Sequence, residues 1–123
     1  MAAAWRVRRR LGGGMRQAGL LAAAGIYALR ENLARLADDH RRARRLAQLA
    51  SEIRGVNAVE PETNIVMLDL AEGLDPAAVL GRLAERGVWM VQFGPARLRA
   101  VTHLDVDDEG IERAAGALAD ALR

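Results

Sequence analysis

Three consecutive glycines, Gly12-Gly13-Gly14, separate an arginine-rich segment from an apolar run, and this junction constrains the chain more than any other stretch. Without a Cβ, the backbone there can enter conformations closed to other residues and approach another surface closely. Arg16 stands at the junction, and Leu20-Leu21-Ala22-Ala23-Ala24-Gly25-Ile26-Tyr27-Ala28-Leu29 follows. An arginine-rich lead-in, a glycine turn and a helix start can present backbone N–H groups and a guanidinium to an anion. The same pattern also serves as a plain flexible joint before a helix. The helix predicted from Gln17 to about Arg30 is apolar on nearly every side, so it needs cover on nearly every side. A chain of 123 residues struggles to supply that cover, which points to the rest of a larger subunit or to another subunit.

Beyond this helix the hydrophobic period changes along the chain. Leu29, Leu33, Leu36, His40, Ala43, Ala47 and Ala50 step by three and four, with Leu46, Leu49 and Ile53 on the adjoining row, so an amphipathic helix is expected to about Arg54. Gly55 ends it. Val56 to Glu62 reads as a short extended piece or turn. Ile65 to Leu70 is a nearly continuous apolar strand, expected to be covered on both faces. Asp75 and Pro76 are a helix cap and a first-turn proline, Val79, Leu80 and Leu83 form the buried stripe, and Gly87 closes the helix. Strands are expected over Val88–Phe93 and Leu98–His103, turned at Gly94-Pro95. Asp107 then caps a last helix with Ile111, Ala114, Ala115, Leu118 and Leu122 inward. The predicted class is α+β: a long N-terminal helix followed by a small β-sheet covered by helices.

All 18 basic residues are arginine, and there is no lysine and no cysteine. The lack of cysteine rules out a disulfide framework and a thiolate metal site, and fits a reducing, cytoplasmic setting. Net charge is only +2, but residues 1–54 hold 12 arginines against four acids while residues 55–123 hold six against 12. Such asymmetry can mark a nucleic-acid or membrane patch. More often a charged run on a long helix is a solvated face or pairs with the acidic half of the same protein, and no nucleic-acid or membrane partner is expected. The arginines before the apolar run resemble a targeting signal. Arg16 and Gln17 interrupt that pattern, no small-residue cleavage site follows, and the run is too short to span a bilayer.

Few residues can carry chemistry. Ser51 is the only serine, and His40 and His103 are the only histidines. His103, Asp105, Asp107 and Asp108 include competent metal ligands, but aspartates before a helix are ordinary caps and no metal is expected. Arg99 stands among Leu98, Ala100 and Val101, where a buried arginine needs a partner. Its planar fork matches a carboxylate through two parallel hydrogen bonds; the alternative is an exposed arginine on an edge strand.

The run Leu11–Leu29 (LGGGMRQAGLLAAAGIYAL), Leu36–His40 (LADDH), Pro61–Val66 (PETNIV) and, most specifically, Arg99–Val106 (RAVTHLDV) together resemble the low-specificity L-threonine aldolases of the beta-eliminating lyase family. These are pyridoxal-phosphate enzymes of the aspartate-aminotransferase, or fold type I, superfamily. The blocks come in family order from about Arg8 onward but match only the C-terminal portion of a family subunit. The resemblance implies two segments: residues 1–16, a basic lead-in and glycine turn left over from the large-domain connection, and residues 17–123, the C-terminal small domain. It implies that Arg99 binds the α-carboxylate of an amino-acid substrate. Arg16 matches the arginine of the glycine turn, expected near the cofactor phosphate of its own or a neighbouring subunit, and Arg9 stands where the family usually has a lysine, so that an arginine there still meets the phosphate with different reach and geometry. His103 and Asp105 belong to the motif without a catalytic role.

The family holds its cofactor covalently on a lysine amine. Arginine cannot replace it, because a guanidinium stays protonated. The implied activity, cleavage of L-threonine or L-allo-threonine to glycine and acetaldehyde, is therefore expected to need the missing N-terminal half of the subunit or oligomeric partners. The alternative expectation is a non-catalytic binding or assembly module that keeps the small-domain fold.

Overall fold

In the computed structural model, which describes residues 1–123, the chain divides into two units, Met1–Ala34 and Arg35–Arg123. The boundary read from the sequence, between residues 16 and 17, falls inside the first of these.

The first unit holds α1 (Ala2–Arg10), α2 (Gly19–Tyr27) and a single π-helical turn, Ala28–Asn32. Neither helix buries a residue. Leu20, Leu21, Ile26 and Leu29 are all exposed, so the cover that this apolar run requires is not supplied within the unit. The long N-terminal helix of the sequence reading is interrupted: the π turn and a turn at Leu33–Arg35 separate α2 from the next helix. That helix is α3 (Leu36–Ser51).

The second unit continues with β1 (Val56–Val59), β2 (Ile65–Leu70), α4 (Pro76–Glu85), β3 (Val91–Gly94), β4 (Arg97–Val101) and α5 (Asp108–Ala121). The four strands form an antiparallel sheet in the order β1-β2-β4-β3. Local chemistry explains the helix starts. The Asp75 carboxylate accepts from the Ala77 N–H at 3.0 Å, and the Asp107 carboxylate accepts from the Gly110 N–H at 2.7 Å. Each satisfies a first-turn donor that has no partner in its own helix. Gly87 closes α4 with φ +73°, a value an L side chain resists.

Val66, Leu68, Leu70, Leu98 and Ala100 point to one face of the sheet and are buried against Ala43, Leu46, Ala47 and Ala50 of α3, Val79 and Leu83 of α4, and Ile111 and Leu118 of α5. The result is a sheet layer and a helix layer with one core between them.

Several sequence expectations shift here. β2 is not covered on both faces. Its burial alternates, because the helices lie on one side only, and Ile65 remains exposed. The α3 stripe begins later than its spacing implied: Leu36 is exposed, and Asp39 rather than His40 is buried. β3 begins at Val91, not Val88, since the Val88 N–H bonds back to the Leu83 carbonyl at 3.0 Å and holds the chain at the end of α4. The basic and acidic halves pair with each other. Arg41 and Arg42 donate to Asp108, and Arg45 donates to Glu112, which ties α3 to α5.

Candidate carboxylate site

The sheet face opposite the helices carries Asn57 and Val59 of β1, Ile65, Met67 and Asp69 of β2, and Arg97, Arg99 and Val101 of β4, because paired residues share a face. Val91 of β3 lies opposite Arg99 on the same face. Val59, Ile65, Val91, Phe93 and Val101 are exposed there.

Two arginines stand in this setting, two residues apart on one strand. Arg97 lies opposite Asp69 and donates through Nε to Oδ1 and through Nη2 to Oδ2, the latter at 2.9 Å. The hydrogen bond from Arg97 holds the Asp69 carboxyl below its ordinary range, and Asp69 in turn raises Arg97. Arg97 is a committed cation.

Arg99 is not. It lies opposite Met67 in β2 and Val91 in β3, neither of which offers a charge. Its Nε is buried with no hydrogen-bond acceptor. Its guanidinium carbon sits 5.5 Å from the centroid of the Phe93 ring. β4 is an inner strand of the sheet, so the edge-strand alternative for Arg99 does not hold. A buried N–H donor without an acceptor is costly, and an Arg side chain in this state is chemically matched to an incoming carboxylate.

Neighbouring groups fix the strand end that carries Arg99. The Thr102 hydroxyl, buried at the end of β4, donates to the Asp39 carbonyl in the first turn of α3 at 2.7 Å. Asn64 Nδ2 donates to the Thr102 carbonyl at 2.7 Å, and the Thr102 N–H donates to the Asn64 carbonyl at 2.9 Å. Asp39 also buries an Oδ1 without a hydrogen bond, 4.0 Å from Arg42 Nη1.

The other two predicted site residues, Arg9 and Arg16, belong to the first unit, Arg9 in the last turn of α1 and Arg16 after the glycines. Both are exposed and neither forms an ion pair. The glycine N–H groups are not free for an anion. Those of Gly12 and Gly13 bond to the Arg9 and Arg8 carbonyls at 3.2 and 2.8 Å, and that of Gly14 bonds to the Gly12 carbonyl at 2.9 Å. The glycines instead finish α1. A Cβ on Gly13 would come within 2.7 Å of Arg8 Cγ.

His103 and Asp105 lie exposed in the turn after β4, where the Asp105 N–H donates to His103 Nδ1 at 3.3 Å. Two concavities in the second unit, one of about 570 Å³ between α3 and α5 and one of about 290 Å³ beside Trp89 and His103, do not include Arg99.

Solved structures share this architecture. A cystine C–S lyase, C-DES, solved with its product cysteine persulfide, shares the fold with a TM-score of 0.68 at 23% identity, over 84% of this chain and 28% of that one. LysN, an α-aminoadipate aminotransferase from Thermus thermophilus, matches with a TM-score of 0.59 at 23% identity, over 84% of this chain and 30% of that one.

The family is given by sequence. The beta-eliminating lyase model matches residues 1–73, and the chain belongs to that family. It is 41% identical over 110 residues to the low specificity L-threonine aldolase of Escherichia coli K12, covering 89% of this chain and 32% of that protein. It is 40% identical over 101 residues to low-specificity L-threonine aldolase 1 of Arabidopsis thaliana, covering 79% and 28%. The chain thus spans about a third of the length of these relatives.

Sequence reasoning singled out Arg99 as a candidate through its strand context and motif. It missed Phe93, the Arg97–Asp69 pair and the Thr102 clamp, none of which has a local signature.

Proposed function

We propose that this chain supplies the substrate-carboxylate side of a pyridoxal-phosphate-dependent lyase that cleaves L-threonine or L-allo-threonine to glycine and acetaldehyde in the cytoplasm. The observation that carries this reading is the buried, acceptor-less Nε of Arg99 on a sheet face whose other arginine is already paired. Arg99 binds the α-carboxylate through two parallel N–H···O bonds and thereby fixes the orientation of the substrate around Cα. Arg97, neutralised by Asp69, leaves the carboxylate a single cationic partner.

The residues present fit part of the cofactor. Arg9 and Arg16 are exposed cations without acidic partners, suited to its phosphate. The sequence contains no lysine, so the amine that holds the cofactor comes from outside these 123 residues. When bound, pyridoxal phosphate supplies the electron sink for the Cα–Cβ cleavage. The exposed apolar residues of α2 and of the open sheet face are the surfaces that the lysine-bearing part of the subunit, or a neighbouring subunit, would cover.

The test is reconstitution. The chain is mixed with the separately produced remainder of the Escherichia coli relative and pyridoxal phosphate, and acetaldehyde release from L-threonine is followed. Cleavage that needs both parts supports the proposal. Assembly of the two parts and the cofactor without cleavage overturns it.

A second reading, a non-catalytic binding module, is favoured by the same missing lysine and by the self-contained core of Arg35–Arg123. It predicts a cooperative melt of the chain alone and no assembly with the remainder of the relative.

A further inference from the structure

We infer that Phe93 is a positioning residue for Arg99, whose guanidinium its ring holds in place for a carboxylate. This rests on the reading of Arg99 as the carboxylate ligand.

Arg97 and Arg99 provide the comparison. Arg97 is oriented by Asp69, which takes its Nε and Nη2 edge. Arg99 has no acid to orient it, and its two cross-strand neighbours, Met67 and Val91, are apolar. The group that does meet its guanidinium is the Phe93 ring, at 5.5 Å from centroid to guanidinium carbon. A cation over an aromatic face is attracted by the ring quadrupole. The contact sets the guanidinium carbon over the ring, while Nε keeps no hydrogen-bond acceptor.

The local backbone is built for this contact. The β3–β4 register shifts between Gln92 and Gly94, so Phe93 sits in an irregularity of the ladder. Such a bulge bends the strand and re-aims a side chain. Gln92 Nε2 donates to the Gly94 carbonyl at 2.9 Å and braces the irregular segment. Phe93 adds nothing to the helix-side core. It is 55% exposed on an edge strand.

The experiment follows the Arg Nε–H signals of the full chain by ¹H–¹⁵N NMR, with the Arg99 signal identified by its loss in Arg99→Gln. Sodium acetate is the carboxylate probe, and Phe93→Leu and Phe93→Trp are the variants. In Phe93→Leu, the Arg99 Nε–H should exchange faster with solvent and the acetate midpoint should rise roughly threefold. Phe93→Trp should keep both near the parent values, and the Leu68 and Leu98 methyl signals should stay in place in both variants.

Unchanged exchange and an unchanged midpoint in Phe93→Leu would overturn the inference. So would displaced core methyls, which make Phe93 a structural residue. Faster Arg99 exchange in Phe93→Leu without any acetate response in the parent would uphold the positioning role and remove the carboxylate reading.

Discussion

Asp69 and Arg97 face each other across β2 and β4 and close a two-point ion pair, with Arg97 Nη2 at 2.9 Å from Asp69 Oδ2. Its consequence is chemical selectivity along one strand: Arg97 is satisfied, and Arg99, two residues on, keeps an unmet donor.

The pair also sets an acid response. The hydrogen bond from Arg97 lowers the Asp69 pKa in the folded chain. A lowered folded value stabilises the native state above the unfolded aspartate value of about 3.9, and this contribution disappears as pH falls through the folded value. Urea denaturation at a series of pH values should show Asp69→Asn less stable than the parent at pH 7, with the gap closing as pH drops below about 4. A gap that stays constant into strong acid would contradict this.

Thr102 joins the end of β4 to α3. Thr102→Val keeps the shape but removes the donor to the buried Asp39 carbonyl, at a cost of about 1–2 kcal/mol. Thr102→Ser should recover most of that loss. Equal urea midpoints for the parent and Thr102→Val would mean that the hydroxyl does not hold the strand end.

The two capped helices allow an additivity test. Asp75→Ala and Asp107→Ala should each cost about 1 kcal/mol. The caps serve different helices, α4 and α5, so the double variant should lose the sum within about 0.5 kcal/mol.

The contrast between the two units is measurable by truncation of leucines. Leu68→Ala removes a fully buried side chain and should cost about 2–5 kcal/mol. Leu20→Ala, on the exposed α2, should change the stability of the chain alone by no more than about 0.5 kcal/mol.

How much of this was legible in the sequence depends on the range of the interaction. Asp75-Pro76, Gly87 and Asp107 specify helix ends through neighbours two to five residues away, and those ends stand where they were read. The stripe residues Ala43, Ala47, Val79, Leu83, Ile111 and Leu118 are buried as their spacing requires. The Arg97–Asp69 pair joins positions 28 residues apart, so it depends on a strand register that periodicity does not give. The Phe93–Arg99 contact depends on a ladder irregularity, and the late start of β3 on a bond from Val88 to Leu83. The glycine run showed its conformational freedom in the sequence but not where its N–H groups would go; the carbonyls of Arg8, Arg9 and Gly12 take them.

The most direct test of the role assigned to Arg99 replaces the matched C-terminal part of the Escherichia coli relative with this chain and compares kcat/KM for L-threonine in Arg99→Ala and Arg97→Ala. Loss of a charge-assisted, two-bond carboxylate contact should cost about 3 kcal/mol, so Arg99→Ala should lower kcat/KM by roughly 100-fold or more. Arg97→Ala, which leaves Asp69 unpaired but Arg99 in place, should lower it by less than about tenfold. A chimaera that cleaves L-threonine as well with Arg99→Ala as without it would contradict the assignment of Arg99 as the carboxylate ligand.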